Sequence, residues 1–430
     1  MPTAWRRLWL SIRKETPGAL SDPDSHDDAE VAVMLRELGI ALLEVEQPTP
    51  LVAGRLINIG AQYTREKVRV VTLPTALVVQ VGSVAYEVEV SNRWTLQLDL
   101  AGKIDDIAEL AAVGAITPAD AITAVAAARE LRPRFGPVVT TIGYALTSVG
   151  FGMVINPTWA ALPGYLFLGL VVGAVLQLGK PFPSLNPILP TLSAMVITML
   201  ATWFVADAAN DGVLRVISPP LVAMLPGMSL TIGSMELASS EIVAGASRVI
   251  YGVTQLMLLV FGVGIGIHVA GRVAPQEPSL RMGEWALYAG IVVVAVGLYV
   301  YLSAPKGSLF WLMAVIGVAL VGQQVGGLAL SETYSGVVGA FLVVPFAMLA
   351  ARVKGSPPAI VMLLASFWAL VPGALSFVSL SETATEGVAA VTTLGATVAA
   401  VFSIALGTLA GFSVYHAFSM RIRSHGPKDA

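Results

Sequence analysis

The sequence predicts an α-helical membrane protein with ten transmembrane helices, arranged as two inverted five-helix repeats and preceded by a small soluble α/β domain. Three observations lead to this prediction. Hydrophobic residues make up 56% of the 430 positions and charged residues 12%, whereas soluble domains carry about 25% charged residues. From residue 138 onward, apolar runs long enough to cross a bilayer follow one another. The second five of these runs repeat the spacing of the first five.

The charged residues are concentrated in the N-terminal third of the chain. Residues 1–137 hold 14 Lys and Arg and 18 Asp and Glu, which leaves 11 and 10 for the remaining 293 positions. A soluble region therefore shares the chain with a lipid-embedded one. The chain has no cysteine, which excludes disulfides, thiol catalysis and cysteine metal sites. Its net charge of −3 and the lack of a basic face argue against nucleic acid as a partner.

Residues 1–28 are predicted to form an amphipathic N-terminus and a linker. Trp5, Leu8, Trp9 and Ile12 recur at helical spacing with basic residues between them. This pattern is typical of a helix on an anionic membrane surface, and a frayed N-terminus is the alternative. The stretch 16–28 is rich in Pro, Asp and Ser, as linkers are. Because the first thirty residues hold no apolar core of signal-peptide length, we expect the N-terminus to stay in the cytoplasm.

Residues 29–137 are predicted to form a cytoplasmic α/β domain. Asp27 or Asp28 can cap a first helix with apolar residues at helical spacing, and a second helix follows Pro48. Alternating apolar and charged residues then predict strands. The predicted strands are Val68–Leu73, Ala76–Val81, Val84–Val90 and Trp94–Leu98, and the two helices after them are Ile104–Val113 and Pro118–Leu131.

The ten predicted spans are placed by apolar runs of roughly 20 residues, the length that crosses the hydrocarbon core. They lie near 138–155, 160–178, 187–206, 219–239, 245–270, 284–304, 308–328, 333–351, 357–380 and 389–416. With an internal N-terminus, eight Lys and Arg fall on the cytoplasmic side and three on the outer side. The positive-inside rule therefore favours ten spans with both ends in the cytoplasm.

The two groups of five spans indicate an internal repeat, with residues 138–270 as the first copy, 284–416 as the second and 417–430 as a cytoplasmic tail. Individual residues follow the offset of about 146 positions. The matching pairs are Pro226-Gly227 with Pro372-Gly373, Glu236 with Glu382, Gln177 with Gln323, and Gly262/Gly266 with Gly407/Gly411. Because five is odd, the two copies must cross the bilayer in opposite directions, as in many secondary transporters.

The two Pro-Gly pairs interrupt the fourth and ninth spans. Proline lacks a backbone donor and glycine tolerates unusual dihedral angles, so a break at Pro226-Gly227 or Pro372-Gly373 frees polar groups that could line a substrate cavity. The alternative is a simple proline kink without a ligand. We predict a substrate role, because the break recurs in corresponding spans.

Glu236 and Glu382 are candidate substrate-binding or coupling residues. A carboxylate at membrane depth is costly and usually faces a polar pathway or a partner. The alternative is that both lie at the interface and only end their helices. Gln177 and Gln323 are further candidates for substrate contact, with interhelical hydrogen bonding as the alternative. Arg248 could pair with Glu236 or Glu241, or anchor its helix.

Catalytic signatures do not occur in the soluble domain. The chain lacks the G-x-S-x-G, H-E-x-x-H and Walker A patterns, and its α/β part holds no histidine. We therefore predict a protein that is not an enzyme, has no cofactor or metal site, and does not use ATP to drive transport.

Two segments resemble the threonine/serine exporter family. The stretch GIALLEVEQPTPLVAGRLINIGAQYTREKVRVVTLPTALVV is similar to the opening segment of that family, and ISPPLVAMLPGMSLTIGSMELASSEIVAGASRVIYG is similar to its fourth and fifth spans. The second stretch is centred on Leu-Pro-Gly, the following Glu and Gly-x-Ser-Arg. The resemblance implies a cytoplasmic α/β domain, ten spans and ion-driven export of small amino acids from the bacterial cytoplasm.

The expected function is therefore secondary export of threonine, serine or similar small amino acids through a bacterial plasma membrane. The expected partners are the substrate, membrane lipid, and protons or sodium as coupling ion. Three alternatives stay open: a dicarboxylate exporter of the succinate type, a membrane-anchored enzyme, and a channel gated by the soluble domain. The sequence gives no oligomeric state.

Overall fold

The structure is a computed structural model that describes residues 13–14, 17–20, 25–89, 96–185, 187–206, 212–271, 280–370 and 390–424. It is mostly helical, with a three-stranded sheet near the N-terminus. The predicted surface helix at residues 5–12 lies outside the described residues.

Four helices and three strands make up the N-terminal α/β part. They are α1 (Asp28–Glu44), α2 (Thr49–Gly60), β1 (Val68–Leu73), β2 (Ala76–Val81), β3 (Val84–Glu89), α3 (Leu98–Ala112) and α4 (Pro118–Arg129). Asp27 caps α1 by accepting a hydrogen bond from the Ala29 N–H at 3.3 Å. Thr117 caps α4 in the same way, with Pro118 in the first turn as expected.

The sheet is an antiparallel meander in the order β1-β2-β3. Leu77, Val79 and Val81 of β2 are fully buried and pack against α1, which forms the core of this part. The predicted fourth strand is wrong over its described residues, because Leu96 and Gln97 form no strand and Leu98 begins α3. Leu98, Ala101 and Ala108 of α3 are buried at helical spacing, so the apolar period of a helix starts earlier than the predicted boundary.

The described residues that follow the α/β part form apolar helices. They are α5 (Pro137–Ile155), α6 (Leu162–Gly179), α7 (Leu189–Phe204), α8 (Val213–Leu221), α9 (Gly227–Ala238), α10 (Ile242–Ala270), α11 (Trp285–Tyr301), α12 (Leu309–Ala329), α13 (Gly336–Ala350), α14 (Ala359–Leu370) and α15 (Ala390–Ser424). Five are long and apolar enough to cross a membrane, namely α5, α6, α10, α12 and the Val398–Phe418 part of α15. The helices α7, α11, α13 and α14 are apolar but shorter.

Helices α5 and α11 pack antiparallel at close range through glycines. A Cβ atom added at Gly150 would lie 2.6 Å from the Val294 nitrogen, and one added at Gly297 would lie 2.5 Å from the Thr147 nitrogen. Any side chain at either glycine would therefore push the two helices apart.

Glycines also join α7 to α10 and α13 to α15. A Cβ atom added at Gly266 would lie 2.8 Å from the Met195 carbonyl oxygen of α7. A Cβ atom added at Gly411 would lie 2.9 Å from the Phe341 carbonyl oxygen of α13. Small residues at these positions permit the close backbone approach that stabilises helix pairs in lipid.

The α/β part docks on one end of the helical part through backbone hydrogen bonds. The Leu98 and Asp99 N–H groups at the start of α3 donate to the Leu302 and Ser303 carbonyls after α11, at 2.8 and 3.2 Å. The Lys14 N–H donates to the Arg352 carbonyl after α13 at 3.0 Å. The chain segments that follow α11 and α13 therefore lie on the same side of the helical part as the soluble domain.

Candidate functional site

The predicted fourth span is interrupted at the Pro-Gly pair. Helix α8 ends at Leu221, one 3-10 turn covers Val222–Met224, Leu225 is extended, and α9 begins at Gly227. Pro226 has no N–H to donate, so the helical hydrogen-bond ladder stops there. The break leaves backbone carbonyls free to bind other groups inside the helical part.

Aromatic side chains from three other helices pack around this break. The Tyr144 hydroxyl of α5 donates to the Pro220 carbonyl at 2.6 Å, just before the break. The Trp368 Nε1–H of α14 donates to the Met228 sulfur at 3.1 Å, just after it. Tyr301 of α11 lies between them, with its ring centroid 5.0 Å from that of Tyr144 and 6.0 Å from that of Trp368. Helices from both halves of the chain therefore meet at the interruption.

Two serines in the helices that flank the break are buried without a hydrogen-bond partner among the described residues. They are Ser218, in the last turn of α8, and Ser234, in the middle of α9. A buried hydroxyl without a partner carries a free-energy cost of about 1–3 kcal/mol. Polar groups of this kind are what a polar substrate or water would satisfy.

The corresponding residues of the second half, Pro372, Gly373 and Glu382, lie outside the described residues. Helix α14 is described to Leu370, two positions before Pro372. The contact between Trp368 and Met228 therefore places the described end of α14 next to the first Pro-Gly pair. Gln177 of α6 and Gln323 of α12 are half-buried.

Glu236 of α9 is completely buried and binds the soluble domain. Its Oε1 atom accepts hydrogen bonds from the backbone N–H and the hydroxyl of Thr49, each at 2.9 Å. Thr49 is the first residue of α2. The carboxylate thus takes the place of a capping side chain at the N-terminus of α2, where the helix dipole favours negative charge.

Arg248 of α10 completes this contact. Its Nε atom lies 3.3 Å from Glu236 Oε2, an ion pair that lacks the alignment of a hydrogen bond. Its Nη1 atom donates to Glu46 Oε2 of the soluble domain at 2.8 Å. Glu46 has a positive φ of 62°, a backbone conformation that costs free energy in a residue with a side chain. We call Glu46, Thr49, Glu236 and Arg248 the docking cluster.

The docking cluster and the helix break are separate places on α9. Glu236 lies nine residues after Gly227, about 13 Å along a helix that rises 1.5 Å per residue. Of the two partners considered for Arg248, the structure pairs it with Glu236. Glu46 and Thr49 were missed, because their contacts with α9 and α10 join residues about 190 positions apart.

No group of three or more His, Asp or Glu side chains in the described part of the chain could hold a metal ion. His268 and His416 are exposed near the ends of α10 and α15. The docking cluster contains ionisable side chains and hydrogen-bond donors that bind one another across two parts of the molecule. Its chemistry is that of an ion-paired contact between two parts of the molecule.

Comparison with known proteins gives a family match. A model of the family described as "Putative threonine/serine exporter" matches residues 33–270, which are 238 of the 430 positions. The matched region includes most of the α/β part, the helix break and the docking cluster. No solved structure matches the chain.

The curated relatives include fungal membrane proteins. Pheromone-regulated membrane protein 10 of Yarrowia lipolytica is 31% identical over 118 residues, which cover 26% of this chain and 10% of the relative. The protein of the same name from Candida albicans is 25% identical over 228 residues, covering 49% of this chain and 20% of the relative. The chain therefore spans a fifth or less of the length of these two relatives.

Proposed function

Since the chain belongs to the threonine/serine exporter family, we propose that this membrane protein is a secondary transporter that exports threonine, serine or similar small amino acids. The observation that supports this most directly is the interruption at Pro226-Gly227, surrounded by side chains of both halves. Transporters of this kind bind substrate where discontinuous helices meet near the bilayer midplane. Proposed substrate-contacting residues are Pro226, Gly227, Pro372, Gly373, Gln177 and Gln323.

The proposed architecture is ten spans in two inverted repeats, and the α5–α11 contact supports it. Gly150 of α5 packs on Val294 of α11, and Gly297 of α11 packs on Thr147 of α5. The second contact is equivalent to the first, because Gly297 lies 147 positions after Gly150 and Val294 lies 147 positions after Thr147. Such a self-complementary contact is what a two-fold axis produces. Because the two helices run antiparallel, that axis is perpendicular to both and would lie in the plane of the membrane.

A second pair of contacts obeys the same relation. Gly266 packs on Met195, and Gly411 packs on Phe341, which lie 145 and 146 positions further along the chain. The fifth span of each half would therefore pack on the third in the same way. Equivalent packing in both halves is expected if each half is one copy of the same five-helix unit.

The soluble domain is proposed to lie in the cytoplasm and to close the cytoplasmic side of the pathway. Glu236 holds α2 of that domain against α9, the helix that follows the break. Any movement of α9 away from the domain has to separate Glu236 from Thr49. Glu236 would therefore couple substrate passage to domain docking. Glu382 is proposed as its counterpart in the second half.

The test is efflux of threonine or serine from preloaded cells, with and without an uncoupler. We expect export that exceeds the vector control and falls when the ion gradient is collapsed. Gly227→Leu should reduce efflux more than it reduces membrane insertion, because leucine adds bulk at the break. Gly264→Leu is the matched control, since a Cβ atom at Gly264 in α10 meets nothing within 4 Å.

Three outcomes would contradict the proposal. Efflux of succinate without efflux of threonine or serine would favour a dicarboxylate exporter. Ion currents without saturation by substrate would favour a channel gated by the soluble domain. Equal loss of efflux in Gly227→Leu and Gly264→Leu, at equal membrane abundance, would remove the support that the helix break gives.

A further inference from the structure

A cavity of about 840 Å³ lies between the soluble domain and the second half of the helical part. Helices α2 and α3 form one wall, and residues of α13, α14 and α15 form the other. Its volume lies in the range of small-molecule binding sites, about 300–1,000 Å³. The docking cluster holds α2 at its N-terminus, so the same helix that binds Glu236 also covers this cavity.

The soluble-domain wall carries two carboxylates without a cationic hydrogen-bond or ion-pair partner among the described residues, Asp106 and Glu109 of α3. Both remain accessible to solvent. Partial burial raises the pKa of each above its usual value, and Lys14, which also lines the cavity, acts in the opposite direction. Asp105, the third carboxylate of this wall, is already bound by Arg55 and accepts a hydrogen bond from Gln47 at 3.4 Å. Asp106 and Glu109 are therefore the cavity carboxylates that no described cation occupies through a hydrogen bond or an ion pair.

The opposite wall carries a guanidinium without a carboxylate partner among the described residues. Arg352, which follows α13, donates from Nη2 to the Tyr415 hydroxyl at 2.6 Å and lies 5.3 Å from the centre of the Tyr415 ring. These contacts fix the direction of the side chain without neutralising its charge. A guanidinium held in this way is preorganised for a carboxylate.

We propose that this cavity is a binding site for a small zwitterionic amino acid, with its ammonium group on Asp106 and Glu109 and its carboxylate on Arg352. The site rests on the proposed function, because the ligand would be the exported substrate on its way to the helix break. Arg13, Lys14 and Arg55 also line the cavity, so it contains both charges. Unoccupied carboxylates on one part of the molecule and an unneutralised guanidinium on the other suit a ligand that carries both charges. The apolar residues between them, among them Leu51 and Leu363, leave room for a short side chain.

The absence of cysteine permits a direct test by protection of an introduced thiol. Leu51→Cys places a thiol in the cavity, where the native side chain is 44% exposed. Val71→Cys on β1 is the control outside the cavity, with a native side chain 60% exposed. At a threonine concentration ten times its Kd, maleimide labelling of the first variant should slow about tenfold by mass action. Labelling of the Val71→Cys control should not change.

Charge variants assign each end of the ligand. The measured quantity is the ligand concentration that halves the labelling rate of Leu51→Cys. Asp106→Asn with Glu109→Gln should raise this concentration for threonine and threoninamide, which carry an ammonium group, but not for N-acetylthreonine. Arg352→Gln should raise it for threonine and N-acetylthreonine, which carry a carboxylate, but not for threoninamide. The expected change is about tenfold for each ionic interaction that a variant removes. Glu87→Gln, an exposed carboxylate on β3, is the control and should change none of them.

Two results would overturn the site: no protection by threonine or serine, or shifts that are equal for all three ligands. Efflux measured on the same variants separates this proposal from the proposed function. Threonine export without protection at Leu51→Cys would contradict the binding site but agree with the proposed export function. Protection with the expected charge pattern, but without export above the vector control, would support the binding site and contradict the export function.

Discussion

Replacing Glu236 by glutamine tests whether the buried carboxylate holds the soluble domain on the helical part. Glutamine keeps the shape of the side chain, and its carbonyl oxygen can still accept one hydrogen bond from Thr49. It removes the charge that stabilises Arg248 and the N-terminus of α2. We expect Glu236→Gln to insert and fold, because the apolar packing of the membrane helices is untouched, but to dock its soluble domain poorly and export slowly.

The size of the effect follows from the burial of the group. Glu236 is fully buried, and removing one member of a buried ion pair costs roughly 3–5 kcal/mol. The lower end applies here, because Arg248 keeps its hydrogen bond to Glu46 and its contact with Glu236 is poorly aligned. A loss of about 3 kcal/mol raises the undocked fraction about 150-fold, since each 1.36 kcal/mol is a factor of ten.

Amide hydrogen exchange at the start of α2 measures this fraction. The Thr49 N–H is protected by Glu236 Oε1, so its exchange should accelerate by up to the same factor when local opening limits it. Glu241→Gln is the matched control, a carboxylate five positions away whose side chain is partly exposed. Unchanged exchange at Thr49 in Glu236→Gln would refute the docking role, and unchanged efflux across external pH would refute the coupling role.

Three further predictions concern Thr49, Gly297 and Glu109. Thr49→Val, which removes one of the two donors to Glu236, should speed exchange at the start of α2 about tenfold, and Thr49→Ser should restore it. Gly297→Ala should lower the thermal stability of the purified protein, because its Cβ would lie 2.5 Å from the Thr147 nitrogen and overpacking costs about 1–3 kcal/mol, whereas Gly264→Ala should not. Burial raises the pKa of Glu109 in the folded protein above its value in the unfolded chain. As pH rises from the ordinary pKa through the raised one, the unfolded chain ionises first, so the folded state loses stability. Glu109→Gln should therefore raise Tm at neutral pH and lose this advantage at acidic pH, where the native carboxyl is protonated in both states.

The features that the sequence predicted well are those encoded by neighbouring residues. Apolar runs of membrane-spanning length define the helices, as at α5 and α10, because hydropathy and length act locally. Pro226-Gly227 predicted a break, since the missing N–H of proline is a property of that residue alone. The predicted Trp94–Leu98 strand was wrong at its described residues 96–98, because a short apolar stretch fits a strand as well as the approach to a helix and its first turn.

The docking cluster could not be read from the sequence. Glu236 was recognised as a costly carboxylate, but its partner Thr49 lies 187 positions earlier in a different part of the molecule. Thr49 stands between two prolines at a helix start, where a threonine normally serves its own helix as a cap. Nothing in that local pattern indicates that its donors point to another helix. The cavity between Asp106 and Arg352 is formed by the same docking of distant segments, so the pattern of neighbouring residues could not predict it either.

The soluble domain touches both halves of the helical part, at Glu236 and Arg248 on one side and at Leu302 and Arg352 on the other. Two halves related by inversion would, taken alone, give inward-facing and outward-facing states of nearly equal free energy. A domain that docks in one of the two states would remove that equality, because its contacts would stabilise that state alone. The strength of docking would then set the fractions of inward-facing and outward-facing molecules in the absence of substrate. A variant that weakens a docking contact would shift these fractions without any change in the substrate-binding residues.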